Sequence, residues 1–426
     1  MSGASPGTSS PRRALLRWLF LLFLVAVVVR VAAIHGLAEP PQRDELDNHR
    51  IAVNLIEAKG YAVDPGHPTT YLPPVYPAFI ASMYAILGKD YRVVWYAQAL
   101  LNASLVFLIF SLGRMLFSET VGLLAAGIFT LYPSYEIVTS LHRENLLIPI
   151  LLGLFYCLIR GSREGRNGFF ILAGCLSGLL LLTNPVYFFL PLALFSLSFL
   201  DRRFRPHWQG LLSVVLVAMA LWLPWQIRNS LLPEESKAEA EDYQHFTIMF
   251  GHYPVFSGDF WWTLSSMRKL EEERERARQF LRQREQANAH LLLDERRAKY
   301  RKDLTDRIWD RPVAYLMLVL NRDLILLVSP PPGSSVLQGV HPILAWSAFV
   351  VHALFVSVSI LFLIRRYRVD ATVFPFIGVL AYLLVVYGLV HAIRRYGYVL
   401  EPMWCVFGSA ALNHLGARLG QESLHH

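Results

Sequence analysis

The stretch that follows the first apolar run of the chain reads RDELDNHRIAVNL over residues 43–55. Asp44, Glu45 and Asp47 place three carboxylates within four residues, directly after a segment long enough to cross a bilayer. A charged side chain is costly inside hydrocarbon, so packing alone does not explain acids at the edge of an apolar layer. The stretch therefore predicts a functional site just outside a membrane. The alternative interpretation is that these acids only decorate an exposed loop.

Composition places the chain among helical membrane proteins. Of its 426 residues, 54% are hydrophobic and 17% are charged, whereas about a quarter of the residues in soluble domains are charged. Long uncharged runs are typical of membrane-crossing helices. The net charge of +8 comes from basic residues in short loops between these runs, which is the positive-inside pattern and argues against a nucleic-acid partner. Cys157, Cys175 and Cys405 lie within apolar runs without metal-ligand spacing, so no disulfide framework is predicted.

The apolar runs predict an all-α integral membrane protein with about ten transmembrane helices, interfacial helices in the first outer loop, and an outer helical segment. The Ser-, Gly- and Pro-rich start of the chain predicts a disordered cytoplasmic N-terminus. The expected organisation is a disordered N-terminus over 1–13, a transmembrane catalytic module over 14–228 with its first outer loop at 36–74, an outer region with a charged helix over 229–342, C-terminal transmembrane helices over 343–416, and a cytoplasmic tail over 417–426.

Arginine-rich loops set the expected orientation. Basic clusters such as 160–166, 202–205 and 365–368 fall on one side if the apolar runs alternate across the membrane. That side is predicted to be the cytoplasm. The loops that carry Asp44 and Glu144 then face outward, away from the cytoplasm. This arrangement requires Pro312–Val328 to be an interfacial helix. If that segment crossed the membrane, the basic cluster at 365–368 would face outward.

Asp44 is the first candidate catalytic residue. A hydroxyl that attacks an anomeric carbon needs a base to take its proton, and a carboxylate at the edge of a low-dielectric cavity becomes more basic through desolvation. Glu45 and Asp47 compete for this role. The segment LHREN over 141–145 supplies Glu144 as a second catalytic carboxylate. The alternative for this segment is a charged turn between two spans.

Candidate substrate-binding residues surround the two acids in the predicted topology. His142 is a candidate neighbour of a metal or a phosphate, although this spacing is not diagnostic of a metal site. Arg394 and Arg395 lie on the side expected to face outward, where loops carry few basic residues. Their paired guanidiniums suit bidentate contacts to a phosphate. The set comprises Glu45, Asp47, His142, Arg143, Asn184, Arg228, Arg394, Arg395 and Tyr396. No cofactor is predicted with certainty, and a divalent metal is left open.

Taken in order, short motifs resemble the C-type (GT-C) superfamily of polytopic glycosyltransferases, close to the protein O-mannosyltransferases and the aminoarabinose transferase of lipid A. The matching pieces are Asp44 with AVNL at 52–55 and GY at 60–61, PPVYPAF at 73–79, LGRMLF at 112–117, LLAA at 123–126, Glu144 of HREN, TNPV at 183–186, PWQIRN at 224–229, and RYGYVLEP at 395–402. The ordered set covers nearly the whole chain.

This resemblance implies the substrates and the placement of the two acids. It implies a donor sugar linked to polyprenyl phosphate, bound from the bilayer, and a glycan, lipid or protein acceptor on the outer face. The acid in the first outer loop that such enzymes use as base corresponds to Asp44. The acid that they carry in a later loop corresponds to Glu144. Asn48 stands where relatives often carry an aromatic residue, and Asn184 where they often carry arginine, so the sugar and the phosphate-binding residue stay open.

Other functions are alternatives to a glycosyltransferase. A transporter or flippase of lipid-linked saccharides typically places ionisable residues near the bilayer midplane, whereas here they cluster at one face. A polysaccharide polymerase or ligase and a non-catalytic scaffold are further alternatives. The transferase hypothesis predicts that Asp44, Glu144, Arg394 and Arg395 line a single cavity.

Overall fold

A computed structural model describes residues 11–42, 44–200, 202, 205–237, 248–254, 267–328 and 342–422. The described residues are mainly helical, and Ala62 and Pro68 form an isolated β-bridge. The longer helices are α1 (Pro11–Leu37), α2 (Asp44–Ile56), α3 (Val75–Leu87), α4 (Tyr91–Leu116), α5 (Glu119–Leu131), α6 (Glu144–Glu164), α7 (Asn167–Leu181), α8 (Leu190–Leu200), α9 (Trp208–Ser230), α10 (Met267–Ala287), α11 (Leu293–Asp310), α12 (Pro312–Val328), α13 (Pro342–Val369), α14 (Phe374–Leu389) and α15 (Glu401–Glu422).

The helices confirm the predicted all-α membrane bundle. Among the described residues, five helices are long and apolar enough to cross a membrane, and these are Arg12–Leu37, Tyr91–Leu116, Glu144–Glu164, Arg205–Ser230 and Phe349–Arg366. Shorter apolar helices, including α3, α5, α7 and α14, pack among them. The number of crossings, about ten from the sequence, stays a prediction.

Three predicted boundaries differ from the structure. Helix α1 begins at Pro11, inside the segment expected to be disordered, because proline fits the first helical turn; residues 1–10 lie outside the described part. Helix α15 continues to Glu422, into the expected tail over 417–426. The charged helix expected in the outer region over 229–342 forms two helices, α10 and α11, which pair antiparallel through Arg284 with Asp303 and Asn288 with Lys299. It breaks where Asn288 bonds the carbonyl of Arg284 (2.7 Å).

The basic loops and the candidate acids lie at opposite ends of the bundle. Helix α6 has 21 residues from Glu144 to Glu164, which corresponds to about 30 Å of helix. At its far end Arg163 donates to the carbonyl of Met115 and lies 4.0 Å from Asp370. Asp370 also pairs with Arg366 at 3.0 Å. Two of the basic clusters used for orientation therefore meet at one end.

Glycines allow close helix packing between α7 and α9. A Cβ atom added at Gly174 would lie 2.7 Å from the Cβ of Val217, and one at Gly178 would lie 2.9 Å from the Cβ of Leu221. Small residues at such spacing let membrane helices approach closely. The outer end of α9 is therefore held against the turn that follows α7.

A buried arginine ties three helices together inside the bundle. Arg30 of α1 is fully buried. It donates to Asn102 Oδ1 of α4 (2.6 Å) and to the carbonyl of Thr130 in α5 (3.1 Å). A buried charge requires such partners, so this network stabilises the α1–α4–α5 contact.

Hydrogen bonds fold the first outer loop onto the turn after α7. Asn54 Nδ2 donates to the carbonyls of Ala62 (2.8 Å) and Val63 (3.0 Å). The Val75 N–H donates to the Leu182 carbonyl (3.0 Å). These bonds bring the segment before α3 beside residues 182–184, where both border the candidate site.

Candidate active site

A cleft of about 380 Å³, including its open mouth, lies at the end of the bundle opposite the basic loops. Segments distant in the sequence form its walls. The lining residues are Asp44, Asn48, Leu72, Pro73, Tyr76, His142, Arg143, Glu144, Thr183 and Arg395. The structure thus brings together five of the residues singled out from sequence, and these are Asp44, His142, Arg143, Glu144 and Arg395.

Arg395 is the cation between the two candidate acids. Its Nη2 donates to Asp44 Oδ2 at 3.4 Å, and its Nε lies 3.6 Å from Glu144 Oε1. Burial disfavours the charge of Arg395, but Glu144, Tyr396 and Asp44 outweigh it and hold its pKa above the ordinary value. Arg395 therefore stays charged, and it brings two carboxylates around one guanidinium.

The guanidinium of Arg395 lies against the face of the His142 ring. Nη1 of Arg395 lies 3.0 Å from Nδ1 and 2.9 Å from Nε2 of His142. A nitrogen almost equidistant from both ring nitrogens cannot lie in the ring plane, because it would overlap Cε1. The contact is therefore a stacked one rather than an in-plane hydrogen bond, and it fixes the position of Arg395.

Glu45 lies behind His142 rather than in the cleft. Its Oε1 is 3.3 Å from His142 Nε2, and its Oε2 accepts the Leu141 N–H at 3.0 Å. Burial raises the pKa of Glu45, although the Leu141 N–H and Arg395 favour the ionised form. Burial and then the charges of Arg395 and Arg143 hold the pKa of His142 well below its ordinary value. A neutral imidazole therefore separates Glu45 from Arg395.

Asp44 and Glu144 differ in exposure. The Asp44 side chain is 44% exposed, whereas that of Glu144 is 2% exposed. Both carboxylate oxygens of Glu144 lack a hydrogen-bond partner among the described residues. Asp44 is thus open to an incoming group, while Glu144 forms the deep wall of the cleft.

Four other candidate residues lie outside the cleft lining. Arg228 donates to the carbonyls of Thr69 (2.7 Å) and Tyr61 (3.3 Å), so its guanidinium holds the first outer loop. Asp47 accepts the hydroxyl of Tyr71 at 2.7 Å.

Tyr396 and Asn184 complete this group. The Tyr396 ring stacks on Tyr387 with centroids 4.7 Å apart, and Asn184 Oδ1 accepts the Val186 N–H (3.1 Å). The side chain of Arg394 lies outside the described part of the structure.

Sequence reasoning missed several of the cleft residues. Asn48 was noted only as a departure from the family pattern, yet its Nδ2 donates to the carbonyls of Asp44 (3.0 Å) and Leu141 (3.4 Å). It therefore joins α2 to the loop that carries His142. Tyr76 and Thr183 sit inside the PPVYPAF and TNPV motifs, which were the available signal for them. Among the described residues, no three His, Cys, Asp or Glu side chains form a group that could hold a metal.

A second cavity of about 970 Å³, including its open side, adjoins the cleft and shares Pro73 with it. Its walls combine aromatic and apolar side chains with a polar rim. The lining residues are Thr70, Tyr71, Pro73, Leu181, Pro185, Phe188, Trp222, Trp225, Gln226, Asn229 and Lys237. Leu223 and Ile227, on the same end of α9, are 51% exposed, which places this cavity beside the lipid-facing surface.

The sequence profile of the family described as dolichyl-phosphate-mannose-protein mannosyltransferase matches residues 71–227. The structure is similar to the oligosaccharyltransferase AglB of Archaeoglobus fulgidus, solved with an inhibitory peptide and a dolichol-phosphate. The TM-score is 0.54 at 13% identity, over 98% of this chain and 52% of AglB. The chain has the GT-C fold.

A second solved structure has a lower similarity to the chain. ArnT of Cupriavidus metallidurans, solved with undecaprenyl phosphate, gives a TM-score of 0.46 at 16% identity, over 93% of this chain and 77% of ArnT. No curated protein sequence matches the chain. The chain spans about half the length of AglB. The fold shared with AglB confirms, at the level of the fold, the GT-C resemblance that the motifs indicate.

Proposed function

We propose that the protein is a membrane glycosyltransferase that moves a sugar from a polyprenyl-phosphate-linked donor to an acceptor on the outer face of the membrane. The observation that carries this proposal is the position of Arg395, within 3.4 Å of Asp44 and 3.6 Å of Glu144 in one cleft. A base beside a partly buried cation suits a reaction that removes a proton from the acceptor and releases a phosphate from the donor. The GT-C fold supports the same reaction class.

Asp44 acts as the base in an inverting displacement. The acceptor hydroxyl oxygen attacks the anomeric carbon while Asp44 takes the hydroxyl proton. The bond between the anomeric carbon and the phosphate oxygen breaks, and its electron pair leaves with the lipid phosphate. The exposure of Asp44 suits this role, since a general base must come within hydrogen-bond reach of the proton it removes.

Arg395 stabilises the negative charge on the departing lipid phosphate. A guanidinium already oriented by stacking on His142 needs little reorganisation when that charge develops. Arg143 also lines the cleft and adds positive charge. In this proposal Arg228 positions the first outer loop rather than binding phosphate, because its guanidinium donates to backbone carbonyls.

The second cavity receives the start of the donor's prenyl chain. Leu181, Phe188, Trp222 and Trp225 offer an apolar surface beside the lipid-facing part of α9. Pro73 lines both spaces, so a chain lying there would place its phosphate near Arg395. The acceptor, whether a glycan, a lipid or a protein, then approaches Asp44 from the open mouth of the cleft. We propose a bacterial inner membrane with the cleft facing the periplasm.

Replacement of Asp44 with Asn tests this mechanism. We expect release of free polyprenyl phosphate from a panel of synthetic sugar donors, with native membranes as the acceptor source, to fall by about 100-fold or more. Asp64→Asn is the matched control, because Asp64 is an exposed carboxylate of the same outer loop. Thermal unfolding of both variants should match the wild type. Full activity of a folded Asp44→Asn protein would remove Asp44 as the base. Translocation of the donors across vesicles without release of phosphate would favour the transporter alternative.

A further inference from the structure

Side chains from outside α14 hold the end of that helix. The last carbonyl groups of a helix have no partner within it. The Gly388 carbonyl accepts Nη1 of Arg322, in α12, at 2.7 Å. The Leu389 carbonyl accepts the hydroxyl of Tyr315 at 2.9 Å and lies 3.1 Å from His252 Nε2. Two neighbouring carbonyls of α14 are therefore bonded to side chains from other segments of the chain.

Arg322 bonds two of these segments at once. It is 1% exposed, and its Nη2 donates to the carbonyl of Gly251 at 2.8 Å. Gly251 in turn packs directly against the chain that follows α14. A Cβ added at Gly251 would lie 2.7 Å from the Val390 carbonyl oxygen and 3.0 Å from the Cβ of His391. Arg322 thus fixes the start of the loop after α14 between α12 and residues 248–254.

Helix α12 also contacts this loop at its other end. A Cβ added at Gly397 would lie 2.5 Å from the carbonyl oxygen of Leu326, so backbone packs on backbone there. Leu326 lies four residues after Arg322, on the same side of α12. The stretch over 390–396, which includes Arg395, is therefore held by one face of α12 both before and after the guanidinium that enters the cleft.

We propose that Arg322 is a positioning residue that keeps Arg395 in place between Asp44 and Glu144. This inference rests on the proposed function, in which Arg395 contacts the lipid phosphate. Arg322 is not among the residues that line the cleft, so it acts through the loop that it holds. A catalytic group misplaced by about 1 Å can lose about 100-fold in rate, which makes the anchoring of this loop part of the site.

Arg322→Lys tests this role with a side chain that keeps the charge. An ammonium group lacks the planar fork with which a guanidinium bonds two carbonyls. Protein in lipid nanodiscs is titrated with polyprenyl phosphate. We expect Arg322→Lys to weaken binding by about 3- to 10-fold, and Arg395→Gln by about 10-fold or more, because each removes a charge-assisted hydrogen bond. In Arg395→Gln protein, Arg322→Lys should have no further effect, since it acts through Arg395.

Arg30→Lys is the matched control. Arg30 is also fully buried and also donates to a backbone carbonyl, that of Thr130, but it belongs to the α1–α4–α5 contact. We expect both lysine variants to unfold at a lower temperature, and we expect Arg30→Lys to bind polyprenyl phosphate as the wild type does.

Tyr315→Phe is a second, milder variant, and it carries the test if Arg322→Lys does not fold. It removes only the hydroxyl that bonds the Leu389 carbonyl. We expect it to weaken binding of polyprenyl phosphate by about 2- to 5-fold, and only in protein that retains Arg395.

The outcomes distinguish the positioning role from the proposed function. If the wild type binds no polyprenyl phosphate, or if Arg395→Gln binds it as well as the wild type does, the proposed role of Arg395 fails, and the role of Arg322 fails with it. If Arg395 matters but Arg322→Lys and Tyr315→Phe bind like the wild type, only the positioning role is overturned. It is also overturned if Arg322→Lys weakens binding equally with and without Arg395, or if Arg30→Lys weakens binding as much as Arg322→Lys.

Discussion

At the scale of single residues, a neutral His142 lies between Arg395, which lines the cleft, and Glu45 behind it. Its pKa is held well below the ordinary value by burial and by Arg395 and Arg143. Protonation would place a second positive charge against the guanidinium. The proposed reaction therefore depends on a neutral ring at this position, because a displaced Arg395 would no longer be oriented toward the phosphate.

This arrangement predicts a dependence of stability on pH. The unfolded protein binds a proton at His142 below about pH 6.5, whereas the folded protein resists it. Folding stability should therefore fall as the pH is lowered from about 6.5. In His142→Gln this part of the slope should be absent, since glutamine does not titrate. Thermal unfolding of both proteins between pH 5 and pH 8 measures it. A difference between them that does not vary with pH would contradict the assignment.

At the scale of helices, the contact between α7 and α9 has no room for an additional atom. A Cβ at position 174 would overlap Val217, and overpacking of this kind typically costs about 1–3 kcal/mol. We expect Gly174→Ala to lower the free energy of unfolding by up to about 2 kcal/mol, because the helix preference of alanine over glycine offsets about 1 kcal/mol of that cost. Gly127→Ala in α5 is the control, because no atom lies within 4 Å of its added Cβ. That control should be neutral or slightly stabilising, since alanine favours helix by about 1 kcal/mol over glycine.

Helix type could be predicted from the sequence far better than helix contacts. Hydropathy gave the membrane helices, and the order of short motifs gave the acids and Arg395. The role of Arg228 could not be predicted, because local sequence made it a cation at an interface, whereas its partners Thr69 and Tyr61 lie far away in the chain. The hydrogen bonds of Arg30 could not be predicted for the same reason. Its partner Asn102 comes 72 residues later, and only packing brings them together.

At the scale of the whole molecule, the two ends of the bundle have opposite chemistry. One end carries Arg163 and Arg366 around Asp370, and the other carries the cleft. Lysine and arginine loops face the cytoplasm in membrane proteins. In the proposed function the prenyl-linked donor and the acceptor meet on the face away from these arginines, and the orientation expected from the sequence places that face outside the cell.

Single cysteines test this orientation in intact cells. We place one at Arg166, whose side chain is 73% exposed next to the basic end, and one at Arg301 on the exposed face of α11, each in a variant without Cys157, Cys175 and Cys405. A membrane-impermeant thiol reagent should label the cysteine at 301 and leave that at 166 unlabelled until the membrane is opened. Labelling of the cysteine at 166 alone would show the opposite orientation, in which Asp44 faces the cytoplasm. Equal labelling of both cysteines in sealed cells would show that positions 166 and 301 are not on opposite sides of the membrane. The proposal that donor lipid and acceptor meet outside the cell would then lose its support.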